Sequence, residues 1–185
     1  MTMGRGRTMP KPRAQAPAVS VCIRRKPARK DLQFVWRGLR SFNRRVVGDL
    51  PNAHFLVEAR SPRGALIGGL QGVIYYQWLF IANFFLSEKI RRGGVGAQLI
   101  AEAERHAQSL GCHGVWLDTF AWQARPFYEK QGYSVFGSLP DYPTGHARWF
   151  MMKRIEPAPE ARDPLRRLAK ATKTRPVSRG RQAQP

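Results

Sequence analysis

Apolar residues change their period several times along the chain, and each change marks an element. Between Asp31 and about Val47 they fall at Leu32, Val35, Leu39, Phe42 and Val46, with Trp36 beside them, while Arg37, Arg40, Arg44 and Arg45 take the other faces. Spacings of three and four put the apolar set on one stripe, so the segment predicts an amphipathic helix. Upstream, "SVCIRR" reads as a short strand. Downstream, "HFLVEAR", "ALIGGLQGVIYY" and "QWLFIANFFL" read as three strands with short links, which implies an antiparallel meander. The helical period returns at Val95, Leu99, Ala103, Ala107 and Leu110, and Gly111 terminates it. "HGVWLDTF" follows as a strand. "QARPFYEKQ" is a short helix with Pro126 in its first turn and Gly132 at its end, and "YSVFG" and "ARWFMMKR" close the domain as strands. The order predicts a mixed sheet with helices on both faces, an α/β or α+β domain.

Composition restricts what such a domain does. With 185 residues, 43% of them hydrophobic, the chain has room for one domain with a real core. Its net charge of +20 suggests nucleic acid until it is divided along the chain. Residues 1–30 hold nine Lys or Arg and no acid, residues 156–185 hold eight against three acids, and the span 31–155 has a net charge of only +6. The two ends, 1–18 and 157–185, are rich in Pro, Ala, Gly and charge, too apolar-poor to offset chain entropy, and are expected to be basic disordered tails around a domain at 19–156. The first stretch lacks the apolar segment of a signal peptide, and the longest apolar run, "VIYYQWLFIANFFL", is too short to span a membrane. Two cysteines, Cys22 and Cys112, are too few for a disulfide framework, which favours reduced thiols and a cytoplasmic location. The four histidines and two cysteines show no metal-ligand spacing, so no metal is expected.

One stretch concentrates chemistry. In "RRGGVGAQL", Arg91 to Leu99, three glycines and two arginines join a strand to the start of a helix. The first N–H groups of a helix lack internal partners, and the peptide dipoles put partial positive charge there, so that end attracts phosphate. Gly93, Gly94 and Gly96 would let backbone approach an anion closely, with Arg91 and Arg92 adding charge. A tight turn with a solvated arginine pair is the plainer reading. The spacing fits neither a P-loop nor a dinucleotide fingerprint.

The pattern Arg91-x-x-Gly94-x-Gly96, after a strand and opening a helix, resembles the acyl-CoA pyrophosphate loop of the GNAT superfamily of N-acyltransferases. "ARPFYEKQGY", with Ala124, Tyr128, Gly132 and Tyr133, resembles that family's later helix, and the interval of one helix and one strand also matches. The resemblance runs from about Ser20 to Glu156. "DTFAWQARPFYEKQGYSVFG" followed by "DYPTGH" is similar to a branch of small, mostly bacterial acetyltransferases.

The resemblance implies a GNAT-type fold with a mixed six- to seven-stranded sheet and an acetyl-CoA-dependent N-acetyltransferase. Backbone from Arg91 to Ala97, through Arg92, Gly93, Gly94, Val95 and Gly96, would cradle the pyrophosphate, and the strand around Phe85 and Leu86 would pair with the pantetheine arm. That strand and the next, Gly114 to Phe120, would splay to admit the cofactor. Tyr128 matches the tyrosine that protonates the leaving thiolate. Where many relatives have Asn to bond the pantetheine, this chain has Ala121, and Gln123 is the nearest replacement. Candidates for the base are Asp118 at the end of "VWLD", Glu58, Glu88, Asp141, His146 and water. Neither cysteine is proposed as a nucleophile.

The acceptor, a small-molecule or peptide amine, is expected between "RVVGDLPNAH" and "SLPDYPTGHARW", lined by Tyr142, His146, Trp122, Trp149 and Asp141. The family often dimerises, so a homodimer is an expectation. The rival reading is a nucleic-acid- or ribosome-associated protein whose basic tails bind weakly on a catalytically silent scaffold, although those tails carry no aromatics to stack on bases.

Overall fold

The computed structural model describes residues 19–49 and 52–161; the tail expected at 1–18 and all but 157–161 of the tail expected at 157–185 lie outside the described residues. The described chain divides into two units between Val46 and Val47. In the first, helix α1 runs from Arg29 to Val47. Asp31 in its first turn and Arg44 and Arg45 in its last complement the helix dipole. The amphipathic pattern is realised, yet none of its residues is buried. The strand expected at "SVCIRR" does not form: 19–24 is irregular and exposed. An extended segment becomes a strand only when a neighbour takes its N–H and C=O groups, and no described strand pairs with this one.

The second unit contains one six-stranded sheet in the order β1-β2-β3-β4-β6-β5. Its strands are β1 (Ala53–Arg60), β2 (Leu66–Tyr75), β3 (Trp78–Leu86), β4 (Gly114–Phe120), β5 (Ser134–Pro140) and β6 (Ala147–Arg154). The meander β1-β2-β3 is antiparallel, β3 and β4 are parallel, and β4, β6 and β5 are again antiparallel. Helix α2 (Val95–Ser109) makes the crossover from β3 to β4, and the one-and-a-half-turn α3 (Arg125–Lys130) follows β4. This is an α+β arrangement.

The core lies between the sheet and these two helices. Leu99, Ile100, Ala103 and Ala107 of α2 and Tyr128 of α3 pack against Leu70, Ile74, Leu79, Ile81, Val115, Leu117 and Met151. Two strand glycines are required by facing aromatics. Gly72 stands opposite Phe55, and Gly114 opposite Trp78, and in each case an added Cβ would enter the ring. Gly111, at φ +79°, ends α2 in the left-handed region, as its position predicts. The ordered chain continues past Glu156: Ala158 N–H donates to Gln108 O, and Ala161 is buried after the single 3-10 turn Pro159–Ala161.

Candidate active site

A cleft opens where β3 and β4 part. Their parallel pairing runs only from Trp78↔Gly114 to Ile81↔Leu117. Beyond it, β3 stays on β2 as far as Leu86↔Gly68, and β4 stays on β6 as far as Phe120↔Arg148. The cause is visible in the register. Gln71 faces Asn83 while Gly72 faces Ile81, so Ala82 is an extra residue, a β-bulge at the point of divergence. Leu79 and Ile81 face the core before it, Phe84 and Leu86 after it. The β4-side edge of β3 from Ala82 to Leu86 is left open to pair with an extended ligand. Phe85, on this stretch, is 64% exposed.

At the end of β3 the chain enters "RRGGVGAQL". Ser87 N–H donates to Ile67 O, and Glu88–Ile90 forms a 3-10 turn. Arg91 Nε donates to Leu86 O at 3.0 Å, with its Nη1 3.8 Å from Glu88 Oε1. Arg92 at φ +65° and Gly94 at +81° both lie in the left-handed region, and Gly94 is the residue from which α2 starts. No side chain caps α2 and no acid occupies its first turn, so the first N–H groups of the helix have no side-chain acceptor there. The glycines divide their tasks. A Cβ on Gly94 would meet nothing within 4 Å, so that position is glycine for its backbone. A Cβ on Gly96 would lie 3.2 Å from Phe127 Cζ and 3.3 Å from Leu86 Cδ1, so Gly96 is there for close packing of α2 on α3 and β3. Gly93 has open space beside Ile90 O.

Tyr128 sits on the inner side of α3, its ring 6.5 Å from Phe84, 5.2 Å from Phe127 and 6.0 Å from Tyr133. Its ring is buried, but its hydroxyl bonds to no protein group. Among the described residues no fully buried side-chain oxygen lacks a partner, so this hydroxyl keeps some exposure. Burial, and then the negative charge of Asp118, push its pKa up to about 12. Tyr133 differs. Its hydroxyl donates to Glu104 Oε1 at 2.9 Å, Lys153 Nζ donates to Glu104 Oε2 at 2.7 Å, and burial with Glu104's charge raises the phenol far above its ordinary range.

Asp118, near the end of β4, accepts from Arg148 of β6: Nε lies 2.6 Å from Oδ1, and the terminal Nη2 contacts the same oxygen. Gln123 does not reach into the cleft with its carbonyl oxygen, which instead accepts Phe120 N–H at 2.8 Å and the Thr119 hydroxyl at 3.2 Å and so closes the turn after β4. Three of the expected acceptor residues come together. Trp122 stacks on Phe120 with centroids 4.6 Å apart, Tyr142 lies 6.1 Å from Phe120, and His146 meets Trp122 edge-on at 4.7 Å. Trp149 is instead covered by the Arg125 guanidinium at 4.6 Å. Asp141 Oδ1 accepts Gly145 N–H at 2.6 Å. Glu58 is bonded to Arg60 on β1, two strands from β3, and that bond holds its carboxyl below its ordinary range. Sequence reasoning missed Arg148, Phe120, the Glu104–Lys153 pair and the bulge at Ala82.

The splayed strands, the glycine turn and the start of α2 follow one another at the end of β3, and the Tyr128 ring lies 6.5 Å from Phe84 of that strand. Comparison with known proteins agrees: the profile of the Acetyltransferase (GNAT) family matches residues 25–133, and the chain belongs to that family. It is 38% identical to blasticidin-S acetyltransferase of Streptomyces morookaense over 94 residues, 50% of this chain and 69% of that protein. It is 29% identical to acetyltransferase Atu2258 of Agrobacterium fabrum over 115 residues, 62% and 84% respectively. Among solved structures, a crystal structure of an acetyltransferase from Bacillus cereus superposes with a TM-score of 0.68 at 29% identity, covering 72% of this chain and 98% of that one. The chain is therefore an acyltransferase with the GNAT fold.

Proposed function

We propose that this acyltransferase moves an acetyl group from acetyl-CoA to a primary amine of a small molecule, by direct attack of the amine on the thioester. The observation that carries the reading is the coincidence of three features at one place: the open edge of β3 past Ala82, the uncapped start of α2 at Gly94, and the Tyr128 phenol 6.5 Å from Phe84 of β3.

In this reading the N–H groups from Arg91 to Ala97 hold the pyrophosphate, and the backbone around Phe85 and Leu86 pairs with the pantetheine arm and polarises the thioester carbonyl. The amine nitrogen forms its bond to the carbonyl carbon, the carbon–sulfur bond breaks, and Tyr128 gives its proton to the departing sulfur. A phenol held protonated to about 12 keeps that proton throughout the neutral range. Holding both reactants in line supplies much of the rate. The amine's own proton leaves to water in the cleft. Asp118 has one oxygen committed to Arg148 and acts by holding that guanidinium. The blasticidin-S activity of a 38% identical relative supports a small-molecule acceptor.

The test is calorimetric titration of acetyl-CoA into the chain at about 150 mM salt, where a long-range pull of the net +20 charge on any polyanion is weakened. It is run beside Gly94→Asp, which puts a carboxylate at the helix start where its Cβ meets no neighbouring atom and its cost is that of a left-handed residue. Saturable binding that the folded variant loses supports the reading; equal binding by both, or none, rejects it.

A further inference from the structure

The acceptor end of the cleft holds a set of aromatic rings that the acetyl-transfer reading does not by itself require. Trp122 is 55% and Tyr142 47% exposed, yet both are aligned with Phe120: the Phe120 and Trp122 planes differ by 9°, the Phe120 and Tyr142 planes by 20°. Exposed aromatics are ordinarily free to rotate. The backbone that carries these is held in place, and a guanidinium lies over two of the three rings. Ala121 N–H donates to Ala147 O at 2.9 Å, Tyr142 N–H to His146 O at 2.9 Å, and Gly145 N–H to Asp141 Oδ1 at 2.6 Å, while the Arg148 guanidinium covers Phe120 and Tyr142 at 5.1 and 5.5 Å. The surface is thus built in advance, which lowers the entropy cost of covering it.

Charge decides which ligand such a surface suits. The two carboxylates closest in the chain to these rings, Asp118 and Asp141, each have one oxygen engaged, by Arg148 and by a backbone N–H. An aliphatic polyamine would find aromatic faces there and few uncommitted anions. A flat ring gains offset stacking on the indole and phenol in addition to buried area.

We propose that Trp122 and Tyr142 form a stacking platform, and that the acceptor is a primary amine carried on or next to a planar aromatic or heteroaromatic ring. This rests on the acetyl-transfer reading above for what happens to the amine, but the platform itself is testable without it. The probes are naphthylmethylamine and its fully saturated decahydro counterpart, nearly equal in size and alike in charge, titrated calorimetrically into the full chain with and without saturating CoA. The expected result is at least about tenfold tighter binding of the aromatic amine, a preference abolished in Trp122→Leu and largely kept in Trp122→Phe. Equal affinities, a preference unchanged by Trp122→Leu, or no saturable binding of the aromatic amine in either state overturns the platform. A preference for the ring in a chain that does not bind acetyl-CoA leaves the platform standing and rejects the acetyl-transfer reading instead.

Discussion

Asp118 of β4 and Arg148 of β6 are joined across the sheet on a diagonal, Arg148 facing Phe120 in the register while its Nε lies 2.6 Å from Asp118 Oδ1. The pair is mostly shielded, with side chains 15% and 27% exposed, so it is worth more than a surface ion pair. It fixes the guanidinium over Phe120 and Tyr142. Asp118→Asn keeps an acceptor oxygen for Arg148, and kcat/KM is expected to fall by less than about tenfold with no displacement of the acid limb of its pH profile. Arg148→Met leaves the carboxylate unanswered, costing about 1–3 kcal/mol in denaturant unfolding and raising the acceptor KM more than the acetyl-CoA KM. A displaced acid limb in Asp118→Asn would make Asp118 the base after all.

Two tyrosines five residues apart have opposite assignments. Tyr128→Phe removes a hydroxyl that bonds to no protein group, so stability changes little while kcat falls by about 100-fold or more. Tyr133→Phe removes a donor to Glu104, costs about 1 kcal/mol, and leaves kcat nearly unchanged. Stopped kinetics and urea unfolding on the two variants distinguish the roles.

The same phenols set the alkaline limit of the fold. Unfolded tyrosine loses its proton near 10.0, whereas Tyr128 in the folded chain holds it up to about 12. Between those values the folded state binds the extra proton, so stability is complete below pH 10 and declines as pH rises through 12. Tyr133, also raised, adds to the decline. Denaturant midpoints taken from about pH 9 to 11 should fall in the wild type and fall less steeply in Tyr128→Phe.

The sequence displayed the glycine turn because glycine at a helix start is a local signal: Gly94 at φ +81° and Gly111 at +79° stand where their neighbours' periodicity predicts a helix to begin and end. Tyr128 was legible for a similar reason, as part of a ten-residue pattern. What stayed hidden depends on register. The bulge at Ala82 has no composition of its own, since "FIANFF" reads as unbroken strand, and only the shift from Gln71↔Asn83 to Gly72↔Ile81 reveals it. Arg148 meets Asp118 across 30 residues, Lys153 meets Glu104 across 49, and neither partner choice is written locally. "SVCIRR" shows the converse: a run of strand-forming residues has no strand without an edge to pair with.

Gly94 and Gly96 should not be equivalent. Gly94→Ala puts a methyl into open space, so its cost is that of a left-handed alanine, about 1 kcal/mol, and its effect on acetyl-CoA affinity is small. Gly96→Ala drives a methyl to 3.2 Å from the Phe127 ring, costs about 1–3 kcal/mol, and displaces α3 together with Tyr128. Thermal unfolding with an acetyl-CoA titration should order the variants this way. Gly96→Ala as stable as wild type would mean that α3 moves aside freely, and would remove packing as the reason for that glycine.

Glu104 joins α2 to β6 through Lys153 and to the turn after α3 through Tyr133, and its side chain is only 13% exposed. A carboxylate that shielded is stable because both oxygens are answered, so the damage from mutation depends on what is left behind. Glu104→Gln keeps an oxygen for the tyrosine and should cost about 1 kcal/mol, whereas Glu104→Leu leaves Lys153 without its anion and should cost about 3. Lys153→Met in the Glu104→Leu background removes that stranded charge and should recover part of the loss. A double-mutant cycle on unfolding free energies measures the coupling, and additive effects would show that Lys153 finds water as readily as it finds Glu104.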